Sequence, residues 1–262
     1  MINNLINTLV RKYKKYGIDG YIIPKNDEFF SEYSAQDRLK TISNFSGSTG
    51  YSIILRKKNY LFVDGRYTIQ AKKESGKNFQ IIDFHKIINC NLFKNLSIGF
   101  DPKFFTSIQI KKFFYKNNKV KSIESNLIDQ IHQRKTKLNK PFFSLDDKVV
   151  GENYKTKLIK IRKYLNKNKS DYLFITAPEN VAWLLNIRGY DNPNSPIPNC
   201  HLIIDNKNSF YLITYKYKVS RLIKEKKLKS SQIIEPRNFK EFLLNLKGKK
   251  IVIDKNTCSI FF

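Results

Sequence analysis

The chain is poor in the residues that build metal and redox sites. Three histidines (His85, His132, His201) and three cysteines (Cys90, Cys200, Cys258) are scattered over 262 residues. No CxxC, HxxxH or HExxH spacing joins them, which argues against a zinc site and a disulfide framework. Cysteines this few and far apart indicate a reducing compartment, and the expected location is cytoplasmic. No uninterrupted apolar run approaches the roughly 20 residues of a membrane span, so no membrane partner is expected. Nor does the start resemble a signal peptide: Arg11, Lys12, Lys14 and Lys15 follow the apolar stripe of Ile2, Leu5, Ile6, Leu9, Val10 and Tyr13 instead of preceding it. Acidic residues are also short, 22 against 49 basic ones, giving +27. Such an excess attracts polyanions. Here it is spread over both halves of the chain, as in Lys57-Lys58, Lys111-Lys112 and Lys224 to Lys227. It accompanies abundant Asn, Ile, Phe and Tyr and scarce Ala, the mark of A+T-rich coding. The charge is read as codon bias, and nucleic acid is not the expected partner.

What is present is a repeat. Asp19-Gly20-Tyr21-Ile22-Ile23 is echoed by Asp171-Tyr172-Leu173-Phe174-Ile175, and Asn59 to Val63 by Asn208 to Leu212. Phe79 to Asp83 is echoed by Ser231 to Glu235, and Leu96 to Asp101 by Lys249 to Asp254. An offset of about 150 residues far exceeds a solenoid unit, so the copies are whole domains. The first copy predicts a helix to Tyr16 stopped at Gly17, strands at Gly20 to Ile23, Tyr51 to Leu55, Tyr60 to Val63, Gln80 to Phe84 and Ser97 to Phe100, and a short helix over Tyr67 to Lys73. The second predicts a helix over Glu152 to Leu165, then strands at Tyr172 to Ile175, His201 to Asp205, Ser209 to Thr214 and Ile251 to Ile253. Strands alternating with helices predict α/β layering, each domain a mixed sheet with flanking helices. The low periodicity and charges from Leu127 to Asp147 read as a linker, placing domains at 1–135 and 151–262 with 136–150 between them. The apolar ending Ser259-Ile260-Phe261-Phe262 is unlike a loosely held chain end and is taken as a sign of truncation.

The search for chemistry is mostly negative. Each histidine reads as a surface or packing residue. Asp146-Asp147 reads as a solvated loop. Gly47-Ser48-Thr49-Gly50 lacks the phosphate-loop frame and precedes a strand, so a tight turn is expected, and no general base accompanies Ser46, Ser48 or Thr49. Two motifs stand out. In Val63-Asp64-Gly65-Arg66-Tyr67, Asp64 is expected to cap a strand-to-helix turn, with Arg66 in a structural ion pair. In Trp183 to Asp191, Trp183 is expected to pack, and Arg188 on an exposed loop is suited to meeting a carboxylate bidentately.

Together with Ser31-Glu32-Tyr33, Asp37-Arg38-Leu39-Lys40-Thr41-Ile42-Ser43-Asn44-Phe45-Ser46-Gly47-Ser48-Thr49-Gly50, Asp64-Gly65-Arg66-Tyr67, Gly99-Phe100-Asp101-Pro102, Asn126-Leu127-Ile128-Asp129 and Val181-Ala182-Trp183-Leu184-Leu185-Asn186-Ile187-Arg188-Gly189, the chain resembles the two N-terminal domains of the Xaa-Pro aminopeptidase (aminopeptidase P) and creatinase family. His132 stands where that family's pattern would have tryptophan. The resemblance implies two homologous α/β domains in front of a third, pita-bread catalytic domain. In the family that domain binds two metal ions, commonly manganese, through two aspartates, a histidine and two glutamates, and it releases an N-terminal residue that precedes proline. No such ligand maps onto this chain, so no catalytic or metal residue and no cofactor is assigned to it. By the resemblance Arg38, Arg66 and Arg188 line a substrate cleft or interface; the simpler alternative is that all three hold loops in place. Two readings follow: the non-catalytic N-terminal part of an Xaa-Pro aminopeptidase, from a split or truncated gene and partnered by a separately encoded catalytic chain or by copies of itself; or a stand-alone module binding peptides or nucleic acid.

Overall fold

In the computed structural model, residues 2–31, 36–88, 92–114, 118–132 and 140–262 are described. Glu32 and Tyr33 of the first quoted motif, Cys90 and residues 133–139 of the expected linker lie outside them. The chain divides into two compact units, Met1–Thr136 with Ser259–Phe261 and Lys137–Cys258 with Phe262.

Unit 1 runs α1 (Ile2–Tyr16), β1 (Gly20–Pro24), α2 (Arg38–Ser43), β2 (Gly50–Leu55), β3 (Asn59–Val63), α3 (Thr68–Ser75), β4 (Gln80–Asp83), β5 (Ser97–Phe100), α4 (Ser107–Phe114), β6 (Lys119–Ser122) and α5 (Leu127–Ile131). Among the described residues its sheet has the order β4-β3-β2-β1-β5-β6. β1 pairs antiparallel with β2 and parallel with β5, while β2 and β3 form an antiparallel hairpin and β4 joins β3 in parallel. Every residue of β1 is buried, so the strand needs cover on both faces. Alternation supplies it. Tyr21, Ile23, Ile54, Leu61 and Val63 face Leu9 and Tyr13 of α1, Leu39 and Ile42 of α2 and Ala71 of α3. Ile22, Ile53, Tyr60, Phe62 and Ile98 face the opposite way, against Ile87, Phe105 and Phe113.

Unit 2 runs β7 (Phe143–Ser144), α6 (Tyr154–Lys167), β8 (Tyr172–Ile175), α7 (Pro178–Leu185), β9 (Ile187–Arg188), β10 (His201–Asp205), β11 (Phe210–Ile213), α8 (Ser220–Lys224), β12 (Ile233–Ile234), α9 (Phe239–Leu244) and β13 (Ile251–Ile253). Its main sheet has the order β12-β11-β10-β8-β13. Position by position this repeats β4-β3-β2-β1-β5, with the same antiparallel centre and parallel flanks. The sequence echoes are therefore equivalent strands of one topology. The two-sided core recurs as well, with Leu202, Ile204 and Leu212 packed toward Leu158, Val181 and Leu222, and Phe174 and Ile203 toward Phe239.

The segment Leu127–Asp147 departs from the expected linker at both ends. Leu127–Ile131 is a helix whose first turn is capped by Asn126 Oδ1, accepting from Ile128 N at 2.9 Å and Asp129 N at 3.3 Å, and Leu127 and Ile128 are fully buried. At the other end Phe142 is buried in the core of unit 2, and β7 pairs with β9. The apolar anchors are too few to show a period, although each buries enough surface to hold its segment. The last residues are packed too. In unit 1, Ile260 N donates to Phe105 O at 2.9 Å, and in unit 2 the Phe262 ring stands edge-on to Phe174 at 5.1 Å.

Tyr13 shows how α1 is tied to the sheet. Its ring is fully buried and its hydroxyl donates to Ile54 O at 2.7 Å, with burial pushing the phenol far above its ordinary pKa. Tyr13→Phe keeps the packing but leaves that carbonyl short of a donor, and is expected to cost about 1–2 kcal/mol. Urea denaturation measures the loss; an unchanged midpoint would show that the bond contributes nothing.

Candidate functional site

In both units the parallel strands end at one rim of the sheet, where open α/β sheets place ligands. In unit 1 several charged side chains meet there. Lys25, following β1, pairs with Asp37, which also caps α2 by accepting from Lys40 N at 2.9 Å. Arg38 is buried. Its Nε and Nη2 donate to the two carboxylate oxygens of Asp129 at 2.8 and 2.7 Å, Nη2 also reaches Gln36 Oε1 at 2.7 Å, and the guanidinium lies 4.6 Å from the centre of the Phe104 ring. Asp101, following β5, is 2 % exposed. It accepts from Lys103 N and from Asn126 Nδ2, each at 3.0 Å. Burial raises its carboxyl to a pKa of about 6, against the pull of those two bonds. Glu28, Glu124 and Gln130 complete an open depression around this network.

Arg66 lies at the same rim and differs in kind. Asp64 caps the 3₁₀ turn Gly65–Tyr67, accepting from Arg66 N at 3.0 Å and Arg66 Nε at 2.9 Å, while the arginine side chain is 75 % exposed. The turn-capping reading of this motif holds. Residues 47–49 form a bend into β2, with Ser46 Oγ bonded to Glu74 and Ser48 Oγ to Tyr67.

In unit 2, Arg188 is half-buried in β9. Its Nη1 donates to Ala182 O at 3.0 Å and Ile187 O at 2.8 Å, so it secures the end of α7 instead of standing on an exposed loop. Trp183 was expected to pack, but its side chain turns outward and is 61 % exposed, with the Lys157 ammonium 4.2 Å from the ring centre. On a helix the buried stripe belongs to Val181, Leu184 and Leu185, and Trp183 falls between them. The loop before β10 is held by a buried ion pair, Lys218–Asp191, whose carboxylate also accepts from Asn199 N at 2.8 Å. His201 opens β10. It is buried, its Nδ1 lies 2.9 Å from Thr176 O, and burial lowers it to a pKa of about 4.

The structure thus places Arg38 and Arg66 in unit 1 and Arg188 in unit 2, all three engaged in internal bonds, with Arg66 the most exposed. Sequence reading missed the partners that give Arg38 its setting, although Asp101 and Asp129 stand inside the quoted motifs. Their joining across 91 residues, from Arg38 to Asp129, is visible only in the fold. Among the described residues no three His, Cys, Asp or Glu side chains converge as a metal site.

Residues 6–131 match the creatinase/prolidase N-terminal domain, and residues 133–262 match a second domain of the same description. The chain belongs to the creatinase/prolidase N-terminal domain family. It is 32 % identical over 200 residues to a probable Xaa-Pro aminopeptidase P of Coprinopsis cinerea, covering 70 % of this chain and 32 % of that protein. It is 30 % identical over 286 residues to Xaa-Pro aminopeptidase 1 of Dictyostelium discoideum, covering 97 % of this chain and 44 % of that protein. The creatinase N-terminal fold is shared with the X-prolyl aminopeptidase of Caenorhabditis elegans, described as a cytosolic enzyme with a di-nuclear active site. That match has a TM-score of 0.84 at 23 % identity over 94 % of this chain and 44 % of that one. The chain thus spans less than half the length of these relatives. No helix among the described residues is long and apolar enough to cross a membrane.

The two creatinase N-terminal domains should respond oppositely to acid. His201 titrates near 4 in the fold against an ordinary 6.5, so its contribution is present above 6.5 and is lost as pH falls toward 4. Asp101 titrates near 6 against an ordinary 3.8, so its contribution is present below 3.8 and is lost as pH rises through 6. Each effect is of order 3 kcal/mol at most. Hydrogen exchange on the slowest amides of each domain, compared at the two ends of this range, should show the second domain weakened on acidification. His201→Gln should flatten that response. A second domain indifferent to pH in both proteins would refute the assignment.

Proposed function

We propose that this chain is the two-domain N-terminal portion of an Xaa-Pro aminopeptidase, contributing scaffold and cleft wall but no reacting group. The observation that carries this reading is the pair of matched N-terminal domains consecutive in the sequence, in relatives more than half of whose length lies outside the match. Two-metal hydrolysis needs carboxylates that bridge the ions and generate hydroxide near neutral pH, and this role falls to the portion of the relatives outside the match. The ions, manganese by family resemblance, would be held there. Arg66, the exposed arginine of the three, is the one suited to meet a peptide carboxylate at the cleft. Arg38 and Arg188 position loops. A cytoplasmic location accords with the cytosolic relative from Caenorhabditis elegans.

The chain alone, assayed with manganese on an Xaa-Pro peptide, is expected to release no N-terminal residue. Joined to the portion of the Dictyostelium discoideum relative outside the match, it is expected to support chelator-sensitive release. Chelator-sensitive cleavage by the chain alone would overturn the non-catalytic assignment, and a folded but inactive fusion would overturn the peptidase role.

A further inference from the structure

Opposite charges four residues apart occur twice in the second domain, with different outcomes. Arg221 and Glu225 pair at 2.7 Å, as that spacing favours on a helix. Arg237 and Glu241 have the same spacing, and among the described residues neither side chain makes an ion pair or a hydrogen bond. The reason is local. Arg237 lies in the 3₁₀ turn Pro236–Asn238 and Glu241 in α9, so the two do not share one helical surface. Both instead line an open cleft of about 330 Å³. Lys216 lines it as well, and its ammonium is likewise without a partner.

The cleft has a fixed frame. β12 is an edge strand and runs parallel to β11, so the cleft lies at the carboxyl ends of two parallel strands, where open α/β sheets bind ligands. Glu235 Oε1 accepts from Lys216 N at 2.8 Å, tying the turn after β12 to the turn after β11. The half-exposed rings of Tyr215 and Tyr217, the residues on either side of Lys216, stack at 5.6 Å. Phe242 packs against Tyr211 at 5.2 Å and Phe239 at 6.2 Å, and with Ile233 and Ile234 it gives the cleft an apolar wall. Charge selects the occupant. Two cations, Lys216 and Arg237, are balanced by two carboxylates, Glu235 and Glu241, inside a chain that carries +27. A simple anion would meet the carboxylates and a simple amine the cations, whereas a ligand bearing both charges finds a partner for each. The volume is at the low end of the roughly 300–1,000 Å³ of small-molecule sites, which suits a single amino acid better than a longer peptide.

We propose that this cleft binds a free α-amino acid with an apolar side chain. Its carboxylate meets Arg237 and Lys216, its ammonium meets Glu241, and its side chain lies against Ile233, Ile234 and Phe242. The site is built within the second domain alone and does not depend on the peptidase reading. The test is titration of the full chain with L-leucine, N-acetyl-L-leucine and L-leucine amide, with calorimetry giving the affinity and isoleucine-methyl NMR the place. Leucine is expected to saturate, to shift the Ile233 and Ile234 methyls, and to bind about threefold to fivefold tighter than either blocked form, each of which loses one charge pair. Arg237→Gln should narrow the preference for leucine over leucine amide, and Glu241→Gln the preference for leucine over N-acetyl-leucine. Both side chains are exposed, so the melting of either variant should match that of the parent chain. Equal affinity for leucine and N-acetyl-leucine in the parent chain would leave only an anion site and overturn the proposal. So would the lack of saturable leucine binding, or shifts confined to isoleucines elsewhere.

Discussion

Two-sided burial of the central strands is the constraint on which the rest of this structure depends. β1 has no residue facing solvent, and Leu202, Ile203 and Ile204 of β10 are fully buried. A strand of this kind needs helices over both faces and neighbours on both edges. The neighbours are arranged so that the antiparallel centre is flanked by parallel pairs, which sends every parallel strand toward the same rim. Polar side chains that cannot enter the sheet collect at that rim, and there they must be paired or hydrogen-bonded.

This accounts for the contrast between the two rims. In the first domain the strand ends carry Lys25, Asp64 and Asp101, and the result is a network of ion pairs and turn caps around Arg38. In the second, the residues that directly follow the corresponding strands are Thr176, Thr214 and Asp254, and the rim is filled instead by the loop before β10 and by aromatic rings. One topology therefore presents a polar depression in one copy and an aromatic face in the other. Domain duplication keeps the sheet order because the core enforces it, while the rim, under no such constraint, diverges in chemistry.

The buried pairs hold loops in place and do not by themselves add much stability. Taking Lys218 and Asp191 out of water opposes folding, and their mutual attraction roughly offsets that cost. Their structural value is geometric. Asp191 receives both the Lys218 ammonium and the Asn199 amide, so it fixes the spacing between the loop before β10 and the turn after β11. Arg38 plays the corresponding part in the first domain, joining α2 to α5 through Asp129.

Much of the fold was legible in the chain itself. The echoed pentapeptides located four of the five equivalent strands, because alternating and continuous apolar runs are local signals, and the family motifs located the turns. The capping of Arg66 by Asp64 was legible for the same reason, since it spans two residues. What sequence could not show was anything joined across long separations or decided by burial. Leu127, Ile128 and Phe142 looked like linker because isolated apolar residues carry no period, and only the core shows where they insert. Trp183 looked like a packing residue because its ring is large, yet its angular position on α7 turns it outward. The binding of Arg38 to Asp129, the buried state of His201 and the pairing of Lys218 with Asp191 belong to the tertiary structure alone. Local composition determined which strands, turns and family this protein has; long-range packing decided which of its charges are buried and which of its rings face water.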